Sequence, residues 1–379
     1  MIRILHVITD LDIGGSETAL LRLISRLDPQ RFSCSVVSLT GPGKLAARIA
    51  EAGVPVTNLV QRRGMNPALV WRLARVIRKW RPTILQTWLY HADLLGTLCG
   101  WALGTPVVCW NIRCAELDWN DHPRSLFWTV RMLATLSRFP DAVVVNSTAG
   151  RAAHEALGYR PRRWELIPNG FDAAALRPPD SARATVRAAL GIPPDVPLVG
   201  LIARWHPMKD HATFVRAAAR MAADHPMTHF LMAGRGIDDG NAALVRLVRE
   251  HGVAARTHLM GETDRPLEAL AAVDVAVSSS YGEAFPNVLG EAMSCGVPVV
   301  TTDAGDSARV VGDTAAVVPP RDPAALAAAV LRILSLSPEE RRAMGRRARE
   351  RLMRQYSLDH IVRRYEELYV DLAQRAAVS

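Results

Sequence analysis

Two glutamates, Glu283 and Glu291, stand eight positions apart in YGEAFPNVLGEAMSCGVPVV, residues 281–300. Carboxylates so spaced suit an acid–base pair, a set of metal ligands or a grip on hydroxyl groups. DVAVSSS, just upstream, is apolar and β-branched, so it predicts a strand that delivers Glu283 into a loop. A helix is expected to open at Asn287 and Val288, behind Pro286, with Glu291 in its first turn or two. Its first N–H groups, around Phe285 to Val288, would point at an anion. Carboxylates beside an anion make poor phosphate ligands, but they accept hydrogen bonds from hydroxyls. The spacing therefore favours gripping over proton chemistry.

Cations with matching chemistry lie upstream in ARWHPMKD, residues 203–210. Arg204 offers a fork of donors and Lys209 a point charge, and both could reach one diphosphate. The plainer reading is a pair of exposed surface cations. Gly14 and Gly15 follow the first expected strand, where glycine lets a phosphate approach a helix start. DIGGSE is not G-x-G-x-x-G, so a nicotinamide oxidoreductase is disfavoured. Asp10-x-Asp12 has a metal-binding form but sits in the same turn. No H-E-x-x-H or clustered ligand spacing occurs among the eleven histidines, and no metal or other cofactor is expected.

These positions need elements to hold them. IRILHVI (2–8) reads as a buried parallel strand, followed by a helix over 16–27 with Ser16 as its N-cap. FSCSVVSL, TILQTWL, PVVCWNI and DAVVVNS repeat the strand pattern, with helices between them at 44–53 and 92–103. LIPNGFDAAALRPPD (166–180) reads as a linker. Alternation restarts at PLVGLIAR, HFLMAGRG, THLMGE, DVAVSSS and PVVTTD. This predicts an α/β chain of two Rossmann-like, doubly wound domains facing across a cleft. The first spans 1–172 and the second 173–379, with the last helix able to cross back to the first.

Composition narrows the setting. Five scattered cysteines without a C-x-x-C pair argue against a disulfide framework and favour a reducing cytoplasm. The N-terminus lacks a signal-peptide core, and no apolar run of about twenty residues occurs. Residues 1–172 hold 21 Lys/Arg and 13 Asp/Glu, a net of +8, against +1 for the remainder. WRLARVIRKWRP (71–82) places Arg72, Arg75, Arg78 and Lys79 at helical spacing beside Trp71 and Trp80. Such a face either is solvated or meets anionic lipid or an acidic polymer. No nucleic-acid motif accompanies the charge.

GGSE, IPNGFD, Arg204 with Lys209, and E-AFPNVLG-E occur in one order over nearly the whole chain. In this the sequence resembles the GT-B retaining glycosyltransferases of family 4, also called glycosyltransferase group 1. The resemblance implies metal-independent transfer of a hexose-type sugar from a nucleoside diphosphate sugar to an acceptor hydroxyl. The basic first half, rather than the resemblance, suggests an acceptor at a membrane, a saccharide or lipid-linked intermediate of polysaccharide assembly met at the inner face of the cell membrane. The resemblance also implies that Arg204 and Lys209 bind the donor diphosphate and Glu291 the ribose. Glu283, with the backbone of Phe285, Asn287 and Val288, would hold the transferred sugar, and Gly15 would close over the phosphates. Many relatives carry a catalytic histidine after the strand equivalent to PVVCWNI; here Asn111 or Arg113 occupies that region. Arg113 and His91, at another strand end, are the catalytic candidates beside Glu283. Two rival readings are a non-catalytic nucleotide-sugar-binding or scaffold protein on the same fold, and a sugar-nucleotide epimerase.

Overall fold

The computed structural model describes residues 1–12, 14–59, 67–115, 124–172 and 175–378. The chain divides into two compact units, Met1–Gly170 with Leu358–Ser379, and Phe171–Ser357. The first break falls two residues before the expected one. The last helix, Leu358–Val378, belongs to the first unit and not to the second.

The first unit carries strands β1 (Ile2–Ile8), β2 (Phe32–Ser38), β3 (Val56–Asn58), β4 (Ile84–Trp88), β5 (Val107–Ile112), β6 (Ala142–Val145) and β7 (Trp164–Leu166). They form one sheet in the order β3-β2-β1-β4-β5-β6-β7, and every pairing is parallel. Side-chain alternation explains why β1 carries apolar residues on both faces, with Arg3 and His6 the exceptions. Ile4 and Ile8 enter the core layer that also holds Ile361, Val362 and Tyr365 of the last helix. Leu5 and Val7 enter the opposite layer with Leu73 and Leu95.

The second unit repeats the design with β8 (Leu198–Ile202), β9 (His229–Ala233), β10 (Thr257–Leu259), β11 (Val275–Ser278), β12 (Val299–Thr302) and β13 (Ala316–Val318). Its order is β10-β9-β8-β11-β12-β13, again all parallel. In each sheet the winding reverses once, between β1 and β4 and between β8 and β11. At such a reversal the loops leaving neighbouring strand ends diverge and open a crevice beyond their C-terminal ends. Gly14, Gly15 and His91 follow the first pair of strands; Arg204, Lys209 and Glu283 follow the second.

Three short strands, β3, β7 and β13, were not expected, whereas the equally short β10 lies within the expected THLMGE. Ser16 is not the N-cap expected of it. The helix runs Gly15–Ile24 with Gly14 at the cap position in extended backbone, and no side chain caps it. A Cβ on Gly14 would lie 2.2 Å from the Glu17 carboxylate, so glycine leaves room for that acid to fold back.

Candidate active site

The second unit holds a constructed ion pair. Lys209 ends the short turn Pro207–Lys209, and Asp210 follows in left-handed backbone, φ 46°, which Asp tolerates better than most residues. Asp210 also caps helix His211–Asp224, accepting from the Thr213 amide at 3.1 Å and its hydroxyl at 2.6 Å. The Ser279 hydroxyl donates to the carbonyls of Lys209 and Asp210, and the Tyr281 amide donates to the Met208 carbonyl. The loop after β8 is thereby fastened to the loop after β11. Across this seam the Lys209 ammonium pairs with Glu283 Oε1, which also accepts from the Ser280 hydroxyl at 2.7 Å.

Two further loops support Glu283. Gly305, at φ +56°, lies under it so closely that a Cβ would stand 2.0 Å from the Glu283 carbonyl oxygen. The Asp306 amide donates to the Ala284 carbonyl, and the Thr302 hydroxyl donates to the Ser280 carbonyl. Helix Asn287–Ser294 starts where expected, with Pro286 at its cap position and Glu291 on its second turn. Phe171, from the IPNGFD stretch, stacks on Phe285 at 6.2 Å and presses against Gly290, where a Cβ would come within 2.2 Å of the ring. The Phe285 side chain is therefore core, and a donor role for that residue rests on its main chain. Arg204 is exposed, just past β8, and makes no side-chain hydrogen bond or ion pair among the described residues.

In the first unit Arg113 leaves the end of β5 into a polar network. Its guanidinium donates to Asn111 Oδ1 at 3.1 Å, to the Asn169 side chain, and to the Tyr365 hydroxyl at 2.7 Å. It also lies over the Trp88 ring at 4.9 Å. The Asn111 amide donates to the same Tyr365 oxygen at 2.9 Å, and Trp88 Nε1 donates to buried His6 at 3.3 Å. Burial holds the His6 imidazole neutral, its pKa lowered to about 3. Arg113 is thus held by groups from β5, the loop after β7 and the last helix.

His91 is the second residue of helix Tyr90–Ala102, half-buried, and burial lowers its pKa. It makes no side-chain hydrogen bond or ion pair among the described residues. Leu89, immediately before that helix, has φ 72°, a strained value for a branched side chain. Asp10 Oδ1 accepts from the Asp12 amide at 3.1 Å, so the D-x-D stretch forms a local turn. Among the described residues no group of three or more His, Cys, Asp and Glu side chains is placed to hold a metal ion.

The sequence reading missed Glu17, Asn169, Ser280 and Tyr365. Glu17 lies inside GGSE, where an acid carries no signal of its own because acids are common in a first helical turn. It is only 7% exposed, and burial first, with Asp10 and Asp12 adding, raises its pKa to about 7 from 4.5 against the opposing pull of its own backbone N–H and Arg113. The folded chain therefore holds a proton here that the unfolded chain releases between about pH 4.5 and 7. Stability from this group is full below that window and is lost as pH rises through it. Glu17→Gln removes the dependence. Relative to the wild type, the variant gains about 3 kcal/mol from pH 4.5 to pH 8, as an order of magnitude. Urea titrations of both proteins at the two pH values check this; parallel stability curves would contradict it.

Two all-parallel, doubly wound units with cationic and acidic groups at the second reversal point define the class: a GT-B glycosyltransferase. Residues 13–175 match the model for Glycosyltransferase Family 4, and residues 196–336 match that for Glycosyl transferases group 1. The chain belongs to this family. It is 25% identical over 308 residues to the glycosyltransferase EpsF of Bacillus subtilis, covering 79% of each. It is 32% identical over 207 residues to the D-inositol 3-phosphate glycosyltransferase of Mycobacterium tuberculosis, which is 53% of this chain and 42% of that protein. Among solved structures, HepE of Anabaena in complex with UDP superposes with a TM-score of 0.83 at 20% identity, over 98% of this chain and 100% of that one. No helix among the described residues is long and apolar enough to cross a membrane.

Proposed function

We propose that the protein is a retaining, metal-independent hexosyltransferase that uses a nucleoside diphosphate sugar. Its acceptor is a hydroxyl on a saccharide or lipid-linked intermediate of polysaccharide assembly. The observation that carries this is the Lys209–Glu283 pair, seated where β8 and β11 diverge and joined by Ser280. An entering diphosphate competes for the Lys209 ammonium, with Arg204 as a second cation. Freed from lysine, the Glu283 carboxylate can accept from a hydroxyl of the sugar, while Glu291 accepts from the ribose. The first N–H groups of helix Asn287–Ser294, with the main chain from Phe285 to Val288, add positive dipole to the same place.

In the transfer itself the bond from the anomeric carbon to the diphosphate oxygen breaks, and the acceptor oxygen bonds to that carbon on the same face. The departing phosphate oxygen takes the acceptor proton. The chain then contributes positioning and charge stabilisation and needs no nucleophile of its own. His91, neutral and unpartnered among the described residues, and Gly15 at a helix start are the first unit's groups for acceptor and phosphate. Arg113, held by Asn111, Asn169 and Tyr365, is the first unit's cation for contact with donor or acceptor. A uridine nucleotide is favoured by the UDP and UDP-glucose complexes of HepE, which shares the fold.

Thermal melting with a panel of UDP-, GDP-, ADP- and dTDP-sugars tests this. Saturating donor at about 100 times its Kd stabilises by about 2.7 kcal/mol, a shift of several degrees. One nucleotide class is expected to shift the melt, and Glu291→Ala to abolish that shift. Silence across the panel would favour the scaffold reading instead. Turnover of donor without acceptor, releasing a changed sugar nucleotide, would favour the epimerase.

A further inference from the structure

Three helices of the first unit, Pro67–Trp80, Tyr90–Ala102 and Arg124–Leu136, follow β3, β4 and β5 and pack side by side. Their inward faces are ordinary core: Leu73 and Ile77, Leu95 and Cys99, Val130 and Leu133. Their outward faces are not ordinary surface. Trp128 is 67% exposed, Trp71 61% and Trp101 53%, and Phe127, Met132, Leu98 and Phe139 are exposed beside them. Trp101 packs edge-on against Phe139 at 4.4 Å, so the apolar surface continues from the second helix to the turn after the third. Apolar surface gathered in this way marks a site of association.

The charge on the same helices has one sign. Residues 67–80, 90–102 and 124–138 contain Arg72, Arg75, Arg78, Lys79, Arg124, Arg131 and Arg138, and their one acid, Asp93, is buried. Arg75 lies over the Trp71 ring at 5.7 Å, presenting cation and indole together. A groove of about 820 Å³ runs along the third helix, lined by Trp128, Met132, Arg131, Arg138 and Arg160. Tryptophan side chains with arginines, and no exposed acid among them, fit a surface that is apolar below and anionic above.

We infer that this three-helix face docks the protein peripherally on an anionic phospholipid bilayer. The aromatic side chains enter the headgroup boundary, and the groove takes a lipid phosphate between Arg131, Arg138 and Arg160. The inference deepens the proposed lipid-side acceptor but needs neither donor nor turnover for its test.

The experiment is vesicle flotation of the full chain. One vesicle set is pure phosphatidylcholine, and the other contains about one-third phosphatidylglycerol. Wild type is expected to float with the anionic set only, and less as salt rises from about 0.1 M to about 1 M and shortens screening from about 10 to about 3 Å. Arg131→Glu with Arg138→Glu is expected to weaken partitioning at least roughly tenfold, and Trp128→Ser with Met132→Ser similarly. All four positions are exposed, and an unchanged far-UV circular dichroism spectrum and unliganded melting temperature confirm that both variants remain folded. Absence of binding to either vesicle, equal binding to both, or anionic binding that survives both variants would each overturn the inference. Self-association of the chain that both variants abolish, without flotation, would reassign the face to a second copy. A failed donor panel with intact flotation would strike the proposed chemistry and leave this surface standing.

Discussion

Lys209→Met is expected to lower kcat/KM for the donor by about 10²–10³-fold, the usual loss when one preorganised donor to developing charge is removed. The reason lies in the resting pair. Lys209 is held against Glu283, and its backbone is tied to the neighbouring loop through Ser279 and Tyr281, so the ammonium waits at a fixed point. Arg204 carries the same charge on an exposed side chain with no such support, so Arg204→Met should cost less. Because Lys209 and Glu283 act as one unit, Lys209→Met with Glu283→Gln should lose much less than the product of the single losses. Steady-state kinetics on the four proteins of that cycle decides. Multiplying losses would mean that the two side chains serve the donor independently, and near-normal kcat/KM for Lys209→Met would remove the pair from the site.

Gly305→Ala should be among the most damaging single methyl groups that this chain can acquire. Its φ of +56° disfavours any side chain, and the new Cβ would meet the Glu283 carbonyl oxygen at 2.0 Å and its carbon at 2.6 Å. Both are backbone atoms of the loop that carries Glu283, so no rotamer relieves the overlap. We expect destabilisation of the second unit by about 3 kcal/mol. The donor-induced melting shift should be lost as well, since Glu283 must move. Gly41→Ala is the control: nothing lies within 4 Å of its would-be Cβ and its φ is not left-handed, so about 0.5 kcal/mol or less is expected. Chemical denaturation of both variants reads the difference. A stable Gly305→Ala that still answers to donor would show that the loop is plastic and does not hold Glu283 in place.

The architecture was legible because several long strands carry apolar residues on both faces. β1, β5 and β8 are flanked by turn residues and helices, and that alternation permits little except parallel sheets. A three-residue strand carries little periodicity of its own: β10 lay within the expected THLMGE, but β3, β7 and β13 did not stand out. The first domain boundary was read two residues late, since the proline-rich stretch after Leu166 looks like a linker while Phe171 is buried core. The last helix follows the second domain along the chain but crosses back to the first, the alternative the sequence left open, because Tyr365, Leu368 and Tyr369 enter the core beneath β1.

At the site, residue types spoke for themselves. Paired acids around Pro-Asn, two cations after a strand, and glycines at a helix start announce oxygen-rich, anionic chemistry through their charge and hydrogen-bonding capacity alone. What they could not announce is partnership. That Lys209 meets Glu283, that Tyr365 and Asn169 hold Arg113, and that Glu17 folds into a pocket left by Gly14 all join segments distant in sequence or facing by chance of backbone angle. Such contacts form only when the sheet brings strand ends together, and burial then sets which protons and charges remain. Sequence by itself determined the elements and the kind of chemistry; the tertiary structure decided which groups touch, because contact and burial belong to distances that no spacing along the chain contains.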